Sequence, residues 1–264
     1  MSGISPPDSD LCSVVLRTAP ERGVAPTNGR HLHAAFLRWI ADIDQALAAD
    51  LHAPGRTRPF TVALLPPSGQ EAGLALRCSL LDRRLIAAVQ ERLAAGAIRL
   101  RLGSSTYDFQ PAPSDTWSGA ARWQGLVDAS GTDRDIRLEF ATPTCFSRNL
   151  PGERTHLAMF PQPELLWDGW ARKWRTFGPP SPGLSSVADA AARWVIVSAY
   201  QLATRTVDLG RFPQKGFLGW VDYELQPDTP PEVARVLNML TDFAAFAGSG
   251  YKTTMGLGLT RRRL

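Results

Sequence analysis

TPPEVARVLNMLTDFAAFAGSGYKTTMGLGLTRRR, residues 229–263, holds a helix, a glycine-rich loop and a strand in that order. Thr229, Pro230, Pro231 and Glu232 read as a capping box with proline in the first turn. Val233, Val236, Leu237, Leu240, Phe243 and Ala247 then recur at helical spacing and make one apolar stripe. Four glycines (Gly248, Gly250, Gly256 and Gly258) fall within eleven residues and stop the helix. Leu257–Arg263 reads as a closing strand.

Working backwards, the same grammar extends over the chain. Ile136, Leu138 and Phe140 alternate as a strand, and Leu166, Trp170, Trp174 and Phe177 share one face of a helix over 162–177. Strands near 193–208 and 216–226 lead into the helix at 231. The order is β-α-β-β-α-β. It occurs once before: a strand at Leu11–Thr18, a helix after Asn28, and a short helix capped by Asp44 and ending near His52. Strands at Phe60–Leu65 and Leu74–Leu80, a helix through Leu85, Val89 and Leu93, and a strand at 98–102 complete it. The region 110–133 is rich in Pro, Gly, Ser and Asp and reads as a linker plus irregular structure. These elements predict an α+β protein of two tandem ferredoxin-like (RRM-like) domains, 1–125 and 126–264. That architecture names no function by itself.

Composition narrows the class only a little. Hydrophobic residues make up 44% of the 264, enough for a real core, and the formal charge of +4 is mild. Arg261, Arg262 and Arg263 stand together before Leu264, and no acidic residue follows Asp242. Cys12, Cys78 and Cys145 are far apart and odd in number, and the four histidines do not join them at zinc spacing, so neither disulfide framework nor metal site is expected. No secretory pattern opens the chain and no run of 18 apolar residues occurs, which predicts a soluble, cytoplasmic protein with no membrane partner.

In the glycine-rich loop Lys252, Thr253 and Thr254 stand between glycines. Backbone amides, one ammonium and two hydroxyls can receive phosphate oxygens. The preceding helix turns its negative end toward the loop, which works against anions and raises the importance of Lys252. Nucleotide motifs fail: Tyr251 precedes Lys252 where a Walker A loop needs glycine, and Thr253 stands where GxGxxG needs its third. A bland reading, a helix C-cap running into a tight turn, stays open.

FAAFAGSGYKTTMGLGLTR at 243–261 resembles the C-terminal signature of the CRISPR-associated repeat-RNA processing endoribonucleases. ATPTCFSRN at 141–149, PQPELLWDGWARKWRTF at 161–177 and FLGWVDYEL at 217–225 resemble further stretches of that family's second domain, and residues 28–65 resemble its first more weakly. The resemblance implies two ferredoxin-like domains and cleavage of CRISPR repeat RNA without metal or cofactor. It implies a 2′-hydroxyl nucleophile, a 5′-hydroxyl and a 2′,3′-cyclic phosphate as product ends, and a protein that keeps hold of its product.

On that match His52, after the second helix, carries over as the catalytic histidine. Arg58 carries over to a position where some members place a catalytic lysine; it can hold a phosphate bidentately but is a poor proton donor. Some members place a tyrosine in the first helix, where Leu37 stands here, so a two-residue site is expected. His31 and His33 flank Leu32 and point to different helix faces: either one of them approaches the site or both are exposed and non-catalytic; His156 receives no role. The loop residues Gly250, Lys252, Thr253, Thr254 and Gly256, with Arg148, Arg205, Arg211 and Lys215, are the expected RNA ligands. Arg172, Lys173 and Arg175 read as the solvated face of a tryptophan-rich helix. Trp117 and Trp123 read either as base-stacking platforms or as linker packing. A rival reading keeps the fold and loses catalysis: a guide-RNA-binding subunit of a CRISPR effector complex. The partners expected are repeat RNA, effector subunits under the rival reading, and for the chain itself a monomer or homodimer.

Overall fold

The structure, a computed structural model, describes residues 8–20, 28–66, 73–148, 156–210 and 213–263. It forms two compact units. The first comprises the described residues up to Arg122, with 208–210 and Thr254–Gly256; the second comprises the remainder. Among the described residues no helix is long and apolar enough to cross a membrane.

The first unit runs β1 (Leu11–Arg17), α1 (Gly29–Ala41), α2 (Gln45–His52), β2 (Phe60–Leu64), β3 (Ala75–Leu80), α3 (Arg83–Ala94), β4 (Ile98–Leu102), β5 (Ser105–Pro111) and β6 (Gly119–Ala121). Its sheet has the order β2-β3-β1-β5-β4, with β6 also on β1. Cys12, Val14 and Leu16 of β1 bury one face of the strand against Leu32, Phe36, Trp39 and Ile40 of α1 and Leu85 and Val89 of α3. Side-chain caps start three helices: Asn28 accepts from Arg30 N and His31 N, Asp44 from Leu47 N, and Asp82 from Leu85 N.

Two sequence expectations change here. The strand at 98–102 does not lie beside β1; it forms a hairpin with β5, in which Tyr107 and Phe109 turn inward. The stretch expected to be linker and irregular structure supplies the residues that reach β1: β5 pairs at Leu16 and Arg17, and β6 at Leu11–Ser13. Between them, Trp117 covers the second face of the sheet. Its carbonyl accepts from Ser13 Oγ at 2.8 Å and Arg77 Nε at 2.9 Å.

The second unit runs α4 (Trp123–Asp128), β7 (Asp135–Thr144), β8 (Phe146–Arg148), β9 (His156–Ala158), α5 (Pro163–Phe177), α6 (Val187–Trp194), β10 (Val195–Asp208), β11 (Pro213–Leu225), α7 (Pro231–Ala247) and β12 (Thr260–Arg263). Its sheet order, β10-β11-β7-β12, is the ferredoxin-like arrangement of a β-α-β-β-α-β chain. The pairings of β7 with β11 and with β12 are antiparallel. Trp167, Trp170 and Trp174 are fully buried on one side of α5. Trp123, half-buried, packs its ring 4.8 Å from Trp174 and 5.2 Å from Phe243, the arrangement of the packing reading. The capping box at 229–232 does not form: Pro230 is the N-cap of α7 without a side-chain bond, and Thr229 Oγ1 donates to Gln226 O. The helix α6 occupies the start of the stretch read as strand.

Candidate active site and glycine-rich loop

Helix α2 ends at His52, and its last turn leaves carbonyls without intrahelical partners. Arg58 satisfies them. Its Nη1 donates to Ala53 O at 2.5 Å and its Nη2 to His52 O at 3.2 Å. The guanidinium is thereby fixed beside His52, with further N–H donors left over from its five. The His52 side chain itself is exposed.

A third group joins them. His33 of α1 stacks on Phe60, the first residue of β2, with ring centroids 5.8 Å apart. Its Nδ1 lies 3.2 Å from the carbonyl oxygen of Thr254. A carbonyl only accepts, so Nδ1 carries the proton and the neutral ring keeps a lone pair on Nε2. Burial lowers the His33 pKa from its ordinary value more than that hydrogen bond raises it, and the positive charges of Arg58 and His52 lower it further. His33 is thus held neutral near neutral pH, next to a cation and a second imidazole. His33 is half-buried and not exposed, and of the two α1 histidines it is the one that nears Arg58 and His52. Its neighbours Phe60 and Thr254 lie far off in sequence, so no local pattern marks it. His31 instead serves the α1 cap, with its ring Nδ1 3.4 Å from Asn28 N. Leu37 packs partly buried against the core, and no tyrosine hydroxyl is supplied from that position.

The glycine-rich loop owes its glycines to close packing. Gly248, Gly250, Gly256 and Gly258 all have positive φ. A Cβ on Gly250 would lie 2.2 Å from Cys145 O, and one on Gly258 would lie 2.0 Å from Ser249 O. Many loop amides are already used: Ser249 N donates to Gly258 O, Tyr251 N to Cys145 O, Gly256 N to Val62 O and Gly258 N to Pro143 O. Lys252 takes φ 56, which is uncommon for a side-chain-bearing residue, and its ammonium lies 5.1 Å from the Tyr251 ring centroid. Gly250 and Tyr251 form the exposed tip. Thr253 is buried with its hydroxyl 3.2 Å from Lys173 Nζ, while Thr254, through its carbonyl, holds His33.

The remaining expected ligands are dispersed. Arg205 and Lys215 are exposed on β10 and β11, and Arg148 ends β8. Arg211 lies outside the described residues. The terminal arginines do not form a free basic patch: Arg261 and Arg263 both pair with Glu139, and Arg262 pairs with Asp133 and Asp242. Arg172 and Arg175 are solvated and share Asp168, as expected of that face, but Lys173 turns its ammonium inward.

Family comparison fits this layout. The model of the CRISPR Cas6 N-terminal domain matches residues 11–84, and that of the CRISPR-associated endoribonuclease Cas6 matches residues 138–260. A CRISPR-associated endoribonuclease Cas6 of Mycobacterium tuberculosis is 30% identical over 256 residues, spanning 91% of this chain and 73% of its own length. The chain belongs to the Cas6 family. Among solved structures, a Cas6 product complex superposes with a TM-score of 0.81 at 27% identity, covering 97% of this chain and 100% of its own. Thermus thermophilus Cas6 gives 0.75 at 26% identity, covering 97% and 99%. A Cas6-related protein from Pyrococcus furiosus, at 13% identity and a TM-score of 0.59, shares the fold. The Cas6 matches span both units, with His33, His52 and Arg58 inside the N-terminal match and the whole glycine-rich loop inside the C-terminal one.

Proposed function

We propose that this Cas6-family chain is a metal-independent endoribonuclease that cuts CRISPR repeat RNA and retains the product. The observation that carries the mechanism is the grouping of His33, His52 and Arg58 in the first unit. Cleavage without metal uses the ribose 2′-hydroxyl as internal nucleophile. It needs a base at that hydroxyl, an acid at the 5′-oxygen and a cation for charge developing on phosphorus. His33, neutral and with Nε2 unprotonated, is suited to take the 2′-hydroxyl proton. His52, exposed at the end of α2, is suited to protonate the leaving 5′-oxygen. Arg58, anchored through two of its N–H groups, offers the others to the non-bridging oxygens. The P–O5′ bond breaks as the O2′–P bond forms, leaving a 2′,3′-cyclic phosphate and a 5′-hydroxyl.

RNA is held in this proposal by Lys252 and the Gly250 tip of the loop, with Arg148, Arg205, Arg211 and Lys215 as further phosphate ligands. Relatives solved as product complexes support retention of product. The test is to incubate the protein with CRISPR repeat RNA in excess EDTA and map both product ends. A single cut with cyclic phosphate and 5′-hydroxyl ends is expected, and His52→Ala should slow the single-turnover rate by about 100-fold or more. Tight binding with no cut would instead make the chain a guide-RNA-holding subunit.

A further inference from the structure

Helix α7 presents a difficulty for any anion at the loop. Its C-terminal carbonyls point toward residues 248–253, its last turn carries no basic residue of its own, and a helix C-terminus repels negative charge. The structure places a cation there from another element. Lys173, on α5, donates through Nζ to the carbonyl of Ala247, the last residue of α7, and lies 3.2 Å from Thr253 Oγ1. One turn earlier on α5, Trp170 Nε1 lies 3.2 Å from both Gly248 O and Ser249 Oγ. Two side chains of α5 therefore hold the base of the loop at both of its flanks.

We infer that Lys173 is a positioning residue for RNA binding: its ammonium neutralises the end of α7 and pins Thr253, so that the loop tip with Lys252 can accept a phosphate. This rests on the reading of the loop as an RNA grip. It assigns the grip's electrostatics to a residue that does not touch RNA. Burial pulls the amine down to about 8, so its charge is lost within an accessible range. Other ionisable groups surround it. Asp168, Arg172 and Arg175 on α5 pair among themselves, and Asp242 on α7 pairs with Arg262. Lys252 faces Tyr251, and the buried thiol of Cys145 beneath the loop is pushed up to about 11. The sign follows directly: the charged form is needed, so the grip is full at neutral pH and weakens as pH rises through about 8.

The experiment measures binding of fluorescently labelled repeat RNA in EDTA by wild type, Lys173→Met, Lys173→Arg and Lys252→Ala, at about pH 6.5 and about pH 9. At the lower pH, Lys173→Met should bind about 3- to 30-fold more weakly than wild type, the range for a charge at a helix end. Wild type should weaken by a similar factor at the higher pH, and Lys173→Arg, which stays charged, should not. Lys173→Met matching wild type at the lower pH, while Lys252→Ala loses affinity, would overturn the inference. If Lys173→Met does not fold, wild type against Lys173→Arg decides, and a parallel loss in both overturns it. If Lys252→Ala also binds normally, the reading of the loop as an RNA grip is what fails.

Discussion

Replacing Gly258 by alanine puts a methyl group where the carbonyl oxygen of Ser249 already lies, 2.0 Å from the new Cβ. Gly183→Ala is the matched control in the same unit. Its φ of 78° is close to the 73° of Gly258, but its Cβ would meet only the Val236 side chain, at 3.3 Å. Both variants bear the cost of a left-handed alanine, about 1–2 kcal/mol, and both gain from a stiffer unfolded chain, so these terms cancel in the comparison. What remains is steric. Displacing a backbone oxygen costs about 1–3 kcal/mol as overpacking. The bond from Ser249 N to Gly258 O, 2.7 Å long, is distorted with it, adding about 0.5–1.5 kcal/mol. Gly258→Ala should therefore be about 2–4 kcal/mol less stable than Gly183→Ala, roughly 4–16 °C in Tm. Urea unfolding followed by tryptophan fluorescence reads this directly, because the indole of Trp170 lies against Gly248 and Ser249. Equal midpoints for the two variants would refute the claim that packing against Ser249, and not ligand approach, demands glycine at 258.

Two further outcomes follow from the same geometry. His33 binds fewer protons folded than unfolded, because its folded pKa is lowered; its contribution to stability is complete above about 6.5 and is lost as pH falls toward the folded value. His33→Asn should flatten that acid limb in urea melts between about pH 7 and pH 5, and an unchanged slope would contradict the buried, neutral imidazole. Trp123→Ala removes a ring packed on Trp174 and Phe243 and should destabilise by about 2–4 kcal/mol, while the folded variant binds repeat RNA as wild type does; a selective loss of RNA affinity at full stability would restore the stacking role.

Much of the architecture was legible because its physical signals are local. The alternation of Ile136, Leu138 and Phe140 and the stripe on α7 reflect single faces turned to a core, and Asp44 marks its helix start by a cap three residues from the amide that donates to it. The misreadings lie where partners are remote or signals conflict. Tyr107 and Phe109 alternate clearly, but their strand pairs across the Gly103 turn, leaving 98–102 away from β1. The helix α6 is short, lacks a side-chain cap and runs straight into β10, so no punctuation separates helix from strand. At the site, the sequence points to His52 and Arg58 through the family resemblance of residues 28–65. It does not choose between His31 and His33, because the carbonyl that orients the His33 ring lies 221 residues away. Lys173 looks like one member of a solvated basic run, and only its bond to Ala247 O separates it from Arg172 and Arg175. The loop glycines were visible as a cluster, whereas the atoms they make room for, Cys145 O and Ser249 O, were not.

The most direct test of the mechanism is a repeat RNA carrying one 2′-deoxyribose just upstream of the mapped scissile phosphate, presented to the wild-type protein in EDTA. The account predicts that this RNA binds with unchanged affinity and stays intact at that phosphate, because the nucleophile has been removed and nothing else has. Cleavage of the deoxy substrate at the same position would contradict it.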